Sequence, residues 1–280
     1  MTLRIIDSHV HFWTIGGPGH SWPDADWPAI YRDFLPADLR AAATDTALAG
    51  AVLVQSQPDD RDTDWMQATA AEDGLVLGIV GWAPLDAADA AQRVATLATR
   101  PKLVGLRPML QGIDDTDWIL NPALDPAIEA MIAGGLRFDA LIQPRHLPAI
   151  ATFADRWPNL PIVVDHGAKP AARDDQLEPW AEGIAALAAR PNVWCKLSGL
   201  RTEQAPGQPA AELAPYVAHL IESFGSKLMF GSDWPVLLHA GDSYADWITT
   251  VHALAALDST ATERLFFGAA NDFYGLEQTA

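Results

Sequence analysis

IIDSHVHFW, residues 5–13, is a run of strand-forming residues that ends in two histidines separated by one position. In an extended strand alternate side chains share a face, so His9 and His11 project to the same side with attachment points about 6–7 Å apart. That spacing suits one shared metal ion, although two imidazoles in isolation serve equally as ordinary hydrogen-bonding groups. The place of the strand in the fold decides between the two.

Beyond this strand, further apolar runs at about 50–57, 75–84, 102–108, 136–144, 160–168, 192–200 and 227–236 each give way to a helical pattern, often Ala-rich. Helices are predicted at about 36–48, 61–73, 86–99, 122–134, 146–157, 176–190, 209–224 and 242–257, with a last one near 259–273. Eight βα units in 280 residues predict an α/β fold, a closed (β/α)8 TIM-type barrel and not an open doubly wound sheet. No linker or low-complexity segment breaks the alternation, so residues 1–280 are expected to form a single barrel domain. Residues 14–34, TIGGPGHSWPDADWPAIYRDF, are too long and too rich in Gly, Pro and Trp for a minimal βα turn; they read as an active-site loop or lid.

With 49% hydrophobic residues the chain can bury a large core. A formal charge of −18 argues against nucleic acid or an anionic membrane as partner, because phosphates are held by clustered Lys and Arg. Cys195 is the only cysteine, which excludes an intrachain disulfide and a CxxC site and makes the cytoplasm the expected compartment. The N-terminal stretch has no export-signal pattern, and no run reaches the roughly 18 apolar residues of a membrane span. GGPGH lacks the GxxxxGK[ST] pattern of a phosphate loop, so nucleotide binding is not expected.

Barrel enzymes place their chemistry at the carboxyl ends of the strands. His9 and His11 end strand 1, His166 ends strand 6 in VVDHG, and Asp233 ends strand 8 in FGSDWPV. Strands 1 and 8 are neighbours in a closed barrel, so Asp233 can approach both histidines. These four residues are the expected ligands of a mononuclear metal site with an open coordination position. Polar residues at other strand ends are candidates for substrate contact: Gln57, Arg107, Gln143, Arg145, His146 and Arg201. Trp13, Trp82 and Trp234 follow strands 1, 3 and 8, while Trp22 and Trp27 lie on the long first loop, and such rings can stack on the apolar face of a sugar. Lys196 and Ser198 share a face of strand 7, where the lysine can pair with an interior acid.

Taken in order, IIDSHVHFW, VQSQPDD, GLRPML, IVVDHGAKP, CKLSGL, GSDWPV and FFGAANDFYGL resemble the amidohydrolase superfamily, and within it the amidohydrolase-2 branch. The likeness runs along nearly the whole chain. It implies a lactone hydrolase of the L-fuconolactonase and L-rhamnonolactonase type, with pyrone-dicarboxylate lactonases as further relatives. Binuclear members of the superfamily carry a carboxylated lysine at the end of strand 4, whereas here that strand ends in GLRPML and Lys102 stands at its other end. The resemblance therefore implies at most one divalent ion, zinc or a similar metal, with a metal-free reaction as the alternative.

Opening a lactone needs a nucleophilic water, a stabilised oxyanion and a protonated leaving alkoxide. Asp233 is the candidate for moving the proton, and His166 either completes the ligand set or donates to the oxyanion. A neutral aldonolactone fits a chain with 36 acids and 18 bases, which would favour release of an anionic product. Arg107 and Arg145 would instead read a carboxylate if the lactone carried one. The alternatives are a metal-dependent decarboxylase of the same branch and a non-catalytic sugar-acid or metal-binding barrel. A homo-oligomer is left open.

Overall fold

The structure, a computed structural model, describes residues 3–17 and 19–276. Within the expected domain, positions 1–2 and 277–280 lie outside the described residues, as does Pro18 of GGPGH.

Eight strands occur where the apolar runs predict them: β1 Ile5–Val10, β2 Leu48–Val54, β3 Val76–Gly81, β4 Leu103–Leu106, β5 Arg137–Ala140, β6 Ile162–Val164, β7 Val193–Leu197 and β8 Leu228–Phe230. They pair in parallel in sequence order. The ends meet just past β8, where His11 N–H donates to the Trp234 carbonyl at 2.8 Å and Asp233 N–H to the His9 carbonyl at 2.9 Å. The first strand is thereby bonded to the segment that carries Asp233. Between the strands run α1 Pro36–Ala42, α2 Asp60–Glu72, α3 Ala90–Leu97, α4 Asp125–Ala133, α5 Leu147–Arg156, α6 Trp180–Ala188, α7 Ala214–Phe224 and α8 Tyr244–Ala255.

Several boundaries differ from those predicted. α4 and α7 start later because each carries a proline in its first turn, where a missing N–H costs nothing, and short 3₁₀ turns occupy the residues before them. The last helix is divided into α9 Ser259–Glu263 and α10 Ala269–Tyr274 by a π-turn over Arg264–Gly268. β6 stops at Val164 because His166, Gly167, Ala168 and Lys169 all take positive φ, between 53° and 61°, which no strand accommodates.

The interior is layered. Inside the barrel Ile6, Val52, Val54, Val80, Val163 and Met229 cluster with Phe273, Tyr274 and Leu276 at the C-terminal helix, an apolar plug distinct from the larger core between strands and helices. Above the plug lies a layer of buried charge. Lys196, with no exposure, reaches Asp139 Oδ2 at 2.5 Å and Asp165 Oδ1 at 3.0 Å. Tyr274 donates to Asp139 Oδ2 at 2.7 Å, tying α10 to this layer. The expectation that Lys196 pairs with an interior acid is met twice over. Above the charges, at the carboxyl ends, the barrel opens into a cavity.

Candidate active site

β1 delivers His9 and His11 to the junction of charge layer and cavity, and both are buried. Their Nε2 atoms are 3.2 Å apart, and the rings meet edge to face at 4.9 Å. The register shifts between Asp7 and Val10, so the strand is irregular where it presents them. Asp7 secures this irregular stretch: its Oδ1 accepts from His9 N–H at 3.1 Å and from Ser232 N–H at 2.9 Å, stapling β1 to the loop before Asp233.

Asp233 Oδ1 lies 3.3 Å from His11 Nε2, 3.7 Å from His9 Nε2 and 3.9 Å from His166 Nε2. Burial pushes its carboxyl up, but the three imidazoles, in their protonated forms, outweigh burial and hold it below the usual carboxylate range. Burial also lowers His166 to about 4, against the pull of Asp233 and Asp165, so this ring is neutral at physiological pH. Its Nδ1 is 2.9 Å from Ser198 Oγ, which fixes its orientation. His166 and Asp233 both have left-handed backbone, with φ of 55° and 59°, a strained conformation for non-glycine residues that recurs at functional sites. Gly199 makes room for the histidine: at φ +63° it accepts a turn few residues tolerate, and a Cβ there would lie 2.5 Å from His166 Nδ1.

The donor set suits a divalent ion. His11 Nδ1 is 2.8 Å from the Val54 carbonyl, an obligate acceptor, so a proton sits on Nδ1 and Nε2 is the nitrogen that can act as a ligand. His9 has an obligate donor at each ring nitrogen, Arg107 Nη1 3.3 Å from Nε2 and Lys196 Nζ 3.1 Å from Nδ1, and Asp165 Oδ1 lies 3.4 Å from Nδ1. A bare His11 Nε2 3.3 Å from Asp233 Oδ1 repels it unless a proton or a cation lies between them. His9, His166 and Asp233 each offer a ligand atom within 4.8 Å of one another. Elemental analysis of the purified protein should accordingly find no more than about one equivalent of divalent metal. Two stoichiometric ions in active protein would overturn the mononuclear reading.

A cavity of about 560 Å³ opens over this cluster, with His11, Arg107, His166 and Asp233 in its lining and Trp22 and Trp27 on its wall. Of the other expected substrate contacts, Arg107 alone lines it; the structure uses the rest elsewhere. Trp13 is buried against Phe34 and Trp22, with Nε1 donating to the Arg32 carbonyl at 2.8 Å. Trp234 is buried between Phe12 and Phe34. Trp82 is half-buried off the cavity, its backbone N–H bonded to Thr63 Oγ1 at 2.9 Å. Gln57 bonds to the first loop. Gln143 and His146 bond to each other across the 3₁₀ turn Pro144–His146. Arg145 holds the 111–116 loop through the carbonyls of Gln111, Ile113 and Asp114. Arg201 pairs with Asp242 at 2.7 Å. Apart from Trp82, these residues stand three to six positions past their strand ends, whereas His11, Arg107 and His166, which line the cavity, stand one or two past theirs.

Sequence reasoning did not select Lys169, Arg173, Thr202, Glu203 or His239, which also line the cavity. Lys169 lies within the DHGAKP motif, the one available signal; the others come from loops whose path no local pattern encodes. Among the described residues no helix is long and apolar enough to cross a membrane.

Residues 6–276 match the Amidohydro_2 family, described as amidohydrolase. The chain is 44% identical to the L-fucono-1,5-lactonase of Burkholderia ambifaria, with 99% of this chain and 97% of that protein covered. It is 34% identical to the L-fucono-1,5-lactonase of Burkholderia multivorans, over 98% of this chain and 97% of that one. A crystal structure of a Burkholderia multivorans amidohydrolase with bound zinc superposes with a TM-score of 0.90 at 31% identity, covering 98% of this chain and all of that one. The match of 271 of 280 positions, together with the histidine and aspartate cluster at the barrel mouth, shows that the chain belongs to the amidohydrolase family.

Proposed function

We propose that the protein hydrolyses the lactone ring of a neutral sugar acid, an aldonolactone of the L-fuconolactone kind, to the free aldonic acid. The similarity to the Burkholderia lactonases along the full chain carries this reading. The geometry supports the chemistry. Asp233, ionised at the cavity floor, takes a proton from the attacking water and returns it to the ring oxygen as the C–O bond breaks. Arg107, buried and fixed by Asp165 and by the Gln55 carbonyl, presents a charged donor to the carbonyl oxygen as it becomes an oxyanion. His166, held by Ser198, donates to the same oxygen or keeps Asp233 ionised. His9, His11, His166 and Asp233 would hold one zinc ion, which when bound polarises the carbonyl or acidifies water. Trp22 and Trp27 offer faces to the apolar side of the sugar. The same reading keeps the enzyme in the cytoplasm, where an unpaired cysteine is ordinary.

A carboxylated lactone is the second reading, and the structure weighs against its arginine clamp. Arg145 is committed to the 111–116 loop and Arg107 to the floor, so the two do not converge on a ligand carboxylate.

A pH-indicator screen tests the proposal with fucono-, rhamnono-, galactono- and arabinonolactones beside a pyrone or muconolactone carboxylate. At least one neutral lactone should reach a kcat/KM above about 10⁴ M⁻¹s⁻¹, and it should change little with ionic strength. A carboxylated lactone turned over far better, and weakening steeply with salt, would overturn the neutral-substrate reading. Turnover kept after chelation assigns the reaction to this chain's own groups; turnover lost assigns part of it to a bound ion.

A further inference from the structure

We infer, resting on the lactonase reading above, that Gln57 is a positioning residue that sets the sugar-facing wall of the cavity by clamping the backbone of Trp22. Gln57 stands just past β2 and is buried, but it does not line the cavity. Its Oε1 accepts from Ser21 N–H at 2.8 Å, from the Ser21 hydroxyl at 3.0 Å and from Trp22 N–H at 3.2 Å. Its Nε2 donates to the Trp22 carbonyl and to Ser56 Oγ. One carboxamide thus satisfies both backbone groups of Trp22, the pairing that a neighbouring strand would supply, in a loop segment outside any strand.

The clamp is itself anchored. Asp62, in the first turn of α2, accepts from Ser56 N–H at 2.9 Å and from Gln57 N–H at 3.1 Å. A helix therefore fixes Gln57, and Gln57 fixes a loop residue 35 positions earlier in the chain. Trp22 passes that placement on through its ring, which meets Trp27 at 5.6 Å and Trp13 at 5.4 Å, both nearly perpendicular. Trp27 in turn packs against His239, 4.5 Å between ring centres, across the mouth. No other side chain hydrogen-bonds the Trp22 backbone among the described residues.

The test uses Gln57→Leu and Gln57→Glu, each alone and in a Trp22→Ala background. Leucine has similar volume and makes none of the bonds; glutamate keeps the acceptor half but sets a carboxylate against the Trp22 carbonyl. Gln57→Leu should raise KM for the best neutral sugar lactone about tenfold while kcat stays within about threefold, the pattern of lost uniform binding. In the Trp22→Ala background it should add less than about twofold, because its target is gone. The near-ultraviolet circular dichroism of the coupled Trp13, Trp22 and Trp27 indoles should shrink in Gln57→Leu while the far-ultraviolet spectrum is kept. Gln57→Glu supplies the same comparison if the leucine variant fails to fold. Additive losses in the two backgrounds, a fall in kcat at unchanged KM, or an unchanged near-ultraviolet spectrum would overturn the inference. If the wild type opens no lactone, the functional reading fails, whereas the spectroscopic comparison still judges the clamp.

Discussion

Asp233→Asn should fold normally and lose about 10²–10⁴ in kcat, the range general acid–base groups supply. The carboxylate is ionised because the surrounding imidazoles overcome the effect of burial, and an amide of the same shape can neither take a proton from water nor return one to the leaving oxygen. The fold should tolerate the change for a specific reason. Asp233 has a φ of 59°, a region asparagine enters more readily than most residues, and the bond that closes the barrel uses its backbone N–H, 2.9 Å from the His9 carbonyl. Steady-state kinetics at saturating lactone, with circular dichroism as the folding control, measures the effect. Turnover within a few-fold of wild type would remove Asp233 from the proton transfer.

Lys196→Met should produce the largest loss of stability, about 3–5 kcal/mol at neutral pH, as expected when one partner of a buried ion pair is removed. Its ammonium neutralises Asp139 and Asp165, and all three side chains are fully buried. Burial already raises Asp139 to about 6 even against the lysine, while Lys196, His9 and Arg107 bring Asp165 below its usual range despite burial. Without the lysine, both carboxyls rise. An acid whose folded-state pKa exceeds its unfolded value binds more protons when folded, so it weakens the fold above the folded pKa. The deficit of the variant should therefore shrink as pH falls, the Asp139 share being lost above about 6, its value with the lysine present, and the Asp165 share between its raised pKa in the variant and its depressed one in the wild type. Urea unfolding at neutral and mildly acidic pH measures it; a deficit below about 1 kcal/mol, or one indifferent to pH, would contradict the role assigned to this layer.

These two residues also show how unevenly the site was legible. Asp233 could be selected from GSDWP because a carboxylate at the end of a barrel strand is conspicuous, and His9, His11 and His166 followed by the same rule. Lys196 was visible as a lysine in a strand, but its partners are the 139 and 165 carboxylates on β5 and beyond β6, and no local pattern names them. Gln57, polar and close to a strand end, reads from sequence as a substrate contact. Its carboxamide faces the first loop instead, bonding Ser21 and Trp22 where that loop lines the cavity.

By itself the sequence determined the eightfold alternation of strand and helix, the order of the strands, and the assembly of three imidazoles and a carboxylate at one end of a barrel. Hydrophobic period and turn chemistry are local, and in a parallel βα barrel a residue's position along its strand already says at which end it lies. Only the tertiary structure decided which polar residues at that end face the cavity, which sink into the charge layer and which staple loops. Those outcomes depend on the left-handed turns at His166 and Asp233, and on contacts as distant in sequence as Lys196 and His9, 187 positions apart. Such contacts exist only once the barrel has closed and excluded water, which is what turns Lys196 from a strand residue into the counter-charge of two buried acids.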